Sequence, residues 1–473
     1  MSTARNVAPI ASRHHLILLA ILFTIGASLG GVWQDASPTI ARSDEARLRL
    51  RPNDGPVDSQ VVARGRDFPP AANGTLVWDQ GTGTQPRQLA TYTTNANGEF
   101  EIAFTVPEAE PGDHILTATV SHMAASDTFT VTADNESNGD ASGGTPSTED
   151  AAGPVPAAIA STNSTYPASD DLCPAPAANG RSVTVGDGTK LTAALADARP
   201  GDVIQMKSGR YLGTFTLEAS GTADAPMVLC GPREAVIDGG DIGNGYALHI
   251  TGDYLTVRGL SVQRALKGIM LDGANHVTLE YLDVSLTGHE AIHLRAGSSD
   301  NLVQFNDIHD TGFKRDKFGE GVYLGSAVSN WEQYSSGQPD TSDRNRVIGN
   351  RIWNTTSESI DIKEGTTDGL IEGNVMDGSM LAGADSWVDV KGNGYTIRGN
   401  TGTSSPMDGF QTHVINDMDW GRSNTFEGNT ANVEGPGYGF FIHDAETSEN
   451  VVSCNNVVNG AEKGFANVDC AGP

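Results

Sequence analysis

The sequence predicts an all-β protein, in which a small β-sandwich is followed by a solenoid of short parallel strands. Three observations predict this fold class. The 473 residues are too many for one ordinary hydrophobic core, which favours several domains or an elongated fold. Glycine is abundant, with 56 residues, and only 19% of the residues are charged, which suits many short strands joined by turns. Finally, an apolar pattern recurs down the C-terminal two-thirds of the chain.

The recurring pattern is a short apolar segment, seen in GIML, AIHL, GVYL, SIDI and WVDV. The first inward-facing residues of the repeats are predicted to be Leu248, Ile269, Ile292, Val322, Ile360, Val388, Phe410, Phe440 and Phe465. Their spacing is in the low twenties where it is shortest and lengthens where a loop is inserted, as is typical of a β-solenoid. Asparagine also recurs once per repeat, where the chain must turn. This predicts a ladder of side-chain amides that bond from one turn to the next: Asn306, Asn350, Asn374, Asn400, Asn429 and Asn455.

The N-terminal part of the chain divides into three segments. Residues 1–44 carry basic residues before a long apolar run, which predicts an export signal or an uncleaved N-terminal anchor. We therefore expect a secreted or cell-surface protein that meets a membrane only through that segment. Residues 45–133 alternate apolar with polar residues and resemble the immunoglobulin-like β-sandwich modules of secreted bacterial enzymes. Residues 134–175 are rich in Ser, Gly, Thr, Pro, Ala and Asp and predict a flexible linker before the solenoid of residues 176–473.

The four cysteines fall into two local pairs. Cys173 and Cys230 flank the start of the repeats, and Cys454 and Cys470 lie in the last turns. In an exported chain this predicts one disulfide at each end of the solenoid.

The charge balance limits the choice of partner. The chain has 59 acidic and 30 basic residues and a formal net charge of −29, without a basic run interleaved with aromatics. This excludes nucleic acid as an expected partner. We expect a monomer whose partner is a polysaccharide substrate. An acidic polysaccharide would need a local basic strip or a bridging cation to bind this chain.

Side chains alternate along a strand, so the residues between the inward ones form columns on the outer face. One predicted column is His249, Met270, His293, Tyr323, Asp361, Asp389, Gln411 and Phe441. The next is Thr251, Asp272, Arg295, Gly325, Lys363, Lys391, His413 and His443. Lys363 and Lys391 then stack on consecutive turns, about 4.8 Å apart. Two ammonium groups that close are expected to lower each other's pKa and so to provide a base near neutral pH.

The segment LTAALADARPGDVIQMKSGRYLGTFTLEASGTADAPMVLCG, with its Pro-Gly-Asp turn, resembles the opening of the right-handed parallel β-helix (pectin-lyase-like) superfamily. The resemblance covers about residues 182–473 and is strongest to the chondroitinase-B-like alginate lyases. It implies an enzyme in which a lysine takes the C5 proton of a uronic acid and an arginine one turn later assists the leaving oxygen. It also implies Ca²⁺, held by acidic residues, against the uronate carboxylate.

Carried over residue by residue, the resemblance puts Lys363 in the place of the base and Glu358 in the place of a Ca²⁺ ligand. Lys391 stands where the family has its arginine, and Thr356 stands where it has a second acidic ligand. Asp361 or Glu320 would then supply the missing oxygen. The catalytic set predicted on this face is Lys363, Lys391, His413 and Arg295, and the predicted metal ligands are Glu358, Asp361 and Glu320.

Aromatic residues are predicted to form the walls of a groove over this face. Trp331 lies in the longest insertion, and Trp387 is expected to project outward beside Asp389. With Tyr323 these residues are the predicted substrate-binding set, because aromatic rings beside polar groups suit sugar rings.

The sequence thus predicts an extracellular polysaccharide-degrading enzyme, a lyase that cleaves uronic-acid-containing polysaccharide by β-elimination. Two alternatives stay open. One is a glycoside hydrolase that uses Asp361, Asp389 or Glu358 on the same face. The other is a non-catalytic cell-surface protein for glycan binding or adhesion, whose polar face is only a set of cross-strand ion pairs.

Overall fold

The computed structural model describes residues 46–131 with short gaps, Tyr166 and Pro167, and residues 172–472 except 416–418. The chain divides into two compact units, Met1–Asn138 and Gly139–Pro473. The predicted export segment and most of the predicted linker lie outside the described residues, so the three boundaries between the four predicted segments stay predictions. Among the helices that the structure describes, none is both long enough and apolar enough to cross a membrane.

The N-terminal unit contains two β-sheets that share one hydrophobic core. Alternate residues of β4 are buried, which turns Leu76 and Trp78 inward. The Trp78 ring packs against Phe104 of the other sheet and against Phe129. This is the packing of a β-sandwich, and an immunoglobulin-like relationship stays a prediction. The sheet orders are β1-β3-β6 and β2-β8-β7-β4-β5, with β1 (Arg47–Arg51), β2 (Asp54–Gly55), β3 (Gln60–Arg66), β4 (Asn73–Trp78), β5 (Arg87–Thr93), β6 (Phe100–Thr105), β7 (Gly112–Val120) and β8 (Met123–Val131).

The C-terminal unit is a parallel β-helix, as predicted. Three consecutive strands make one turn, and each strand pairs in parallel with its counterpart on the next turn. Short strands separated by tight turns cannot bury an apolar face alone, so the turns stack and share one continuous core.

The β-helix has three sheets, which we number in the order in which the chain visits them. Sheet 1 contains β9 (Ser182–Val185), β10 (Val203–Met206), β13 (Met227–Cys230), β16 (Leu255–Arg258), β19 (Thr278–Glu280), β22 (Leu302–Gln304), β25 (Arg346–Ile348), β28 (Leu370–Glu372), β31 (Thr396–Arg398), β34 (Thr425–Glu427) and β37 (Val451–Val452). Sheet 2 contains β11 (Gly209–Leu212), β14 (Ala235–Asp238), β17 (Ser261–Gln263), β20 (Asp283–Ser285), β23 (Asp307–His309), β26 (Arg351–Trp353), β29 (Val375–Asp377), β32 (Thr401–Thr403), β35 (Thr430–Gly435) and β38 (Val457–Ala461). Sheet 3 contains β12 (Phe215–Leu217), β15 (Tyr246–Ile250), β18 (Lys267–Asp272), β21 (Ile292–Arg295), β24 (Val322–Leu324), β27 (Ile360–Ile362), β30 (Val388–Val390), β33 (Phe410–Thr412), β36 (Tyr438–Ile442) and β39 (Gly464–Ala466).

Helices are few and short in the described part of the chain. The first, α1 (Gly188–Ala196), begins after Asp187, whose side chain accepts a hydrogen bond from the Lys190 amide, and it buries Leu191 and Leu195 against the first turn. The others are α2 (Trp331–Tyr334), α3 (Ala445–Ser448) and the 3₁₀ segments Asp316–Phe318 and Val328–Asn330.

The predicted register is confirmed over eight turns and is wrong at the last. The inward residues from Leu248 to Phe440 face one another across sheet 3. On the final turn the residue opposite Phe440 is Ala466 and not Phe465. The asparagine ladder shows the same shift, because Asn429 bonds to Asn456 and not to Asn455.

The two predicted disulfides are confirmed. Cys173 is bonded to Cys230 at the start of the β-helix, and Cys454 is bonded to Cys470 at its end. The described cysteines are thus all paired.

Candidate functional site

The charged residues predicted for the outer face come together on sheet 3. Tyr323, Asp361, Asp389 and Gln411 lie opposite one another on β24, β27, β30 and β33. The residues on either side of each of them are buried, and all but Thr412 are apolar, so these four point outward. The predicted outward column is therefore correct over the four turns that carry the site.

Two lysines, two aspartates and a histidine form one chain of ion pairs along these turns. Lys363 Nζ lies 2.5 Å from Asp361 Oδ2, and Lys391 Nζ lies 3.1 Å from Asp361 Oδ1. Lys391 also bonds to Asp389, whose second oxygen lies 2.7 Å from His413 Nδ1. The Asp361 side chain is 1% exposed and the lysines are 14% exposed, so water screens these charges weakly.

The structure contradicts the expected lowering of the lysine pKa values. Burial disfavours the charged form of Lys363, but the charge and hydrogen bond of Asp361 outweigh it and raise its pKa above the ordinary range. Burial likewise opposes the charge of Lys391, yet Asp361 and Asp389 raise its pKa, and Lys363 lowers it only in part. The prediction was wrong because a carboxylate lies between the two ammonium groups, which leaves both lysines protonated.

Asp361 also belongs to a cluster of three carboxylates that could hold a cation. Oxygens of Glu320, Glu358 and Asp361 lie within 4.8 Å of one another, so the three predicted metal ligands are brought together. Burial, then the charges of Glu290, Asp361 and Glu358, raises the pKa of Glu320 well above its usual range. Burial, then the charge of Asp361, raises the pKa of Glu358 to about 7.

One carboxylate oxygen of the cluster lacks a hydrogen-bond partner. Oε2 of Glu320 is buried and has no hydrogen-bond partner among the described residues. Asp361 is paired with two lysines, whereas Glu320 and Glu358 form no ion pair with the described residues. Thr356 does not join the cluster, because its hydroxyl donates to the Asp316 carbonyl at 2.9 Å. Three carboxylates that each offer a hard oxygen donor fit a divalent cation such as Ca²⁺.

Arg295 lies in the predicted column but apart from the lysines. Its guanidinium bonds to Asp272 at 2.6 Å and to the Tyr246 hydroxyl at 3.0 Å, and it lies 3.7 Å from the centre of the Tyr334 ring. Because β24 separates β21 from β27, Arg295 is two turns before Lys363. The structure thus brings Lys363, Lys391 and His413 together and leaves Arg295 in a separate ion pair.

The two predicted tryptophan walls are buried, so their expected outward placement is wrong. Trp387 is 0% exposed, donates through Nε1 to the Thr403 carbonyl at 3.0 Å and packs against Phe410. Trp387 precedes β30 at a corner of the core. Gly402 makes room for its ring, because a Cβ at position 402 would lie 2.2 Å from it. Trp331 is 4% exposed and donates to the Ser326 carbonyl at 2.9 Å, which anchors the insertion.

Tyr323 is the predicted substrate-binding aromatic that lies in the site. Its ring is 4.9 Å from Lys363 Nζ and packs 4.4 Å from the His293 ring, centre to centre. Burial, then the charge of Asp361, raises the pKa of its hydroxyl well above the usual range. The hydroxyl is therefore neutral, beside a protonated lysine.

Sequence reasoning missed Lys267 and Glu290, which stand in the same column as Glu320 and Glu358 on earlier turns. Glu290 bonds to Lys267 at 2.9 Å and lies 3.3 Å from His293 Nδ1. This column has one residue per turn, two positions before the first inward residue of each strand: Lys267, Glu290, Glu320 and Glu358. The same spacing could have revealed Lys267 and Glu290 in the sequence.

The chain is similar to known polysaccharide lyases. No family model matches the chain. It is similar to pectate lyase L of Dickeya chrysanthemi, with 26% identity over 238 residues, which cover 44% of this chain and 51% of that protein. Pectate lyase L of Dickeya dadantii strain 3937 is 25% identical over the same length. The chain therefore spans about half the length of the curated relatives it matches.

Among solved structures, the chain is similar to an alginate lyase from Paenibacillus sp. str. FPU-7. The two are 36% identical with a TM-score of 0.56, and the match covers 62% of this chain and 99% of that one. The chain therefore belongs to the family of parallel β-helix polysaccharide lyases that includes the Paenibacillus alginate lyase.

Proposed function

We propose that this chain cleaves a uronic-acid-containing polysaccharide by β-elimination on the outer face of sheet 3, with alginate as the first substrate to test. The observation that carries the proposal is the sharing of Asp361 by Lys363 and Lys391 beside the carboxylate cluster. This arrangement supports the proposal, because two lysines suited to proton transfer lie next to oxygens that could bind a cation against a uronate.

The two lysines differ in their carboxylate partners, which supports different roles for them. In the described part of the chain Lys363 bonds to one carboxylate, that of Asp361, whereas Lys391 bonds to both Asp361 and Asp389. A loss of negative charge at Asp361 therefore lowers the proton affinity of Lys363 more than that of Lys391. We assign Lys363 as the base and Lys391 as the acid.

The reaction then needs two proton transfers. Lys363 Nζ, in its neutral form, takes the proton from C5 of the uronosyl unit, and the electrons of that C–H bond form the C4=C5 double bond. The C4–O4 bond breaks, and its oxygen receives a proton from Lys391 Nζ. His413 donates to Asp389 and so holds the second carboxylate partner of Lys391 in place.

We also propose that Glu320, Glu358 and Asp361 bind Ca²⁺. The orphaned oxygen of Glu320 and the raised pKa of both glutamates support this, because carboxylates in such a site are stabilised by a bound cation. When bound, Ca²⁺ supplies the charge that neutralises the substrate carboxylate and offsets the charge of Asp361.

The location and assembly of the protein are part of the proposal. Two disulfides are typical of oxidising compartments, which supports a secreted or cell-surface protein. We propose that it acts as a monomer. The net charge of −29 also makes a bridging cation useful for an acidic substrate.

The test is incubation of the purified chain with alginate, pectate, glucuronan and glycosaminoglycans in the presence of Ca²⁺. β-Elimination gives an unsaturated product that absorbs in the ultraviolet, whereas hydrolysis gives new reducing ends without that absorbance. Reducing ends alone would favour the glycoside hydrolase alternative, and binding without any shortening of the polymer would favour the adhesion alternative.

A further inference from the structure

The last turns of sheet 3 carry a cluster of outward aromatic rings. Phe441 on β36 lies opposite Gln411, which lies opposite Asp389, so it belongs to the column that carries the charged site. The Phe441 and Tyr438 rings stack, with centres 5.9 Å apart and planes 14° apart. The His443 ring meets Phe441 edge-on at 4.6 Å.

These rings are more exposed than Phe410 and Phe440, which lie on the same strands or the strand before. Phe410 and Phe440 are fully buried in the core. Phe441, Tyr438 and His443 are only half-buried, so part of each ring meets solvent. An open aromatic surface on an otherwise polar face is suited to the apolar face of a sugar ring.

Two basic side chains flank the cluster. The His413 ring stacks on His443 with centres 4.1 Å apart. Lys463 is exposed, with Nζ 5.6 Å from the centre of the Tyr438 ring. Positive charge beside an aromatic surface complements a sugar that carries a carboxylate.

The cluster lies along the axis of the β-helix from the proposed catalytic lysines. Phe441 is two turns beyond Asp389, which corresponds to about 10 Å along the axis. A polymer lying along the outward columns would therefore place a different sugar unit on Phe441 from the one at Lys363 and Lys391.

We propose that Phe441, Tyr438 and His443 form a distal subsite that stacks on a uronosyl ring of the polymer, next to His413 and Lys463. The identity of the occupant rests on the proposed function. The subsite itself contributes binding energy to the ground state and the transition state alike, because it is remote from the reacting atoms.

The test compares Phe441→Ala and Phe441→Tyr in cleavage of sodium alginate. We expect Phe441→Ala to raise KM roughly two- to tenfold with little change in kcat, and Phe441→Tyr to keep a KM near that of the wild type. Phe305→Ala is the matched control, because Phe305 is also half-buried and stacked on an aromatic ring, that of Tyr281, but lies away from sheet 3. This control should leave KM unchanged.

The outcomes separate the subsite from the proposed function. If the wild-type chain cleaves alginate and Phe441→Ala has an unchanged KM, the subsite is wrong and the lyase stands. If the wild-type chain binds alginate without cleaving it, the retardation of each variant in an alginate-containing gel replaces KM, and weaker retardation of Phe441→Ala alone supports the subsite. Equal retardation of all variants, or absence of binding by the wild-type chain, overturns it.

Discussion

Lys363 and Lys391 share one carboxylate, that of Asp361, at 2.5 Å and 3.1 Å. Because Asp361 is almost completely buried, its charge dominates the protonation of both lysines. Both lysines are therefore protonated. Lys363 can act as a base only when another charge offsets that of Asp361.

The role of Lys391 as the acid predicts different effects of two substitutions. Lys391→Ala should lower kcat by about 100-fold or more, because general acid catalysis typically contributes that much. Lys391→Arg keeps a cation near Asp361 and Asp389 and should therefore retain much more activity than Lys391→Ala. Initial rates of unsaturated product formation test this, with Arg351→Ala on sheet 2 as a control that removes another ion-paired cation. Equal rates for Lys391→Ala and the wild type would exclude the role.

The carboxylate cluster predicts a specific effect of Ca²⁺ on stability. A ligand that binds only the folded state raises the melting temperature, so Ca²⁺ should raise Tm of the wild-type chain after chelation and should restore its activity. Glu358→Gln should lose both responses. Glu372→Gln, a change in a half-exposed glutamate on sheet 1, should keep them. A wild-type Tm and activity that do not respond to chelator or to Ca²⁺ would contradict the site.

Burial of Trp387 predicts a loss of stability and not of substrate affinity. Trp387→Ala removes a ring that is 0% exposed and should lower the free energy of unfolding by about 3–5 kcal/mol. Denaturant unfolding measures this change, and KM measured under conditions where the variant is folded should be close to that of the wild type. A large rise in KM with unchanged stability would instead support the sequence-based assignment of Trp387 to the groove.

A second ion cluster, on sheet 2, predicts how stability depends on pH. Burial opposes the charge of His309, but Asp283 and Asp310 outweigh it and raise its pKa from 6.5 to about 10. A raised folded-state pKa contributes stability that is complete below the unfolded pKa and is lost as pH rises through the folded pKa. Tm should therefore fall between about pH 6.5 and about pH 10. His309→Gln should be less stable at neutral pH and should show a flatter profile, whereas an equally steep profile would assign the loss to other groups.

Much of the fold and part of the site could be predicted from the sequence, because a β-helix repeats the same strand geometry on every turn. The apolar period located sheet 3 and put Asp361 and Asp389 in one outward column, as observed. The last turn was misplaced by one residue, because the apolar pattern was aligned on the large side chain of Phe465, whereas strand pairing places Ala466 opposite Phe440.

The errors at the site concern the distances between side chains and the directions in which they point, which the repeat period of the sequence does not determine. Stacked lysines were expected to lower each other's pKa, but the result depends on Asp361 reaching both Nζ atoms. Trp387 was expected to point outward by alternation, but it stands before the strand begins, where the chain turns a corner. Glu290 was overlooked although its spacing matched that of Glu320, because only the strand residues were aligned into columns.

The most direct test of the account is the rate of Lys363→Ala on the first uronic polymer that the wild-type chain cleaves. Asp361 keeps Lys391 as a partner in this variant, so the fold should be retained and Tm should change little. The account predicts unsaturated product from the wild-type chain and a rate lower by about 100-fold or more from Lys363→Ala. A folded Lys363→Ala protein that cleaves the polymer at the wild-type rate would contradict it.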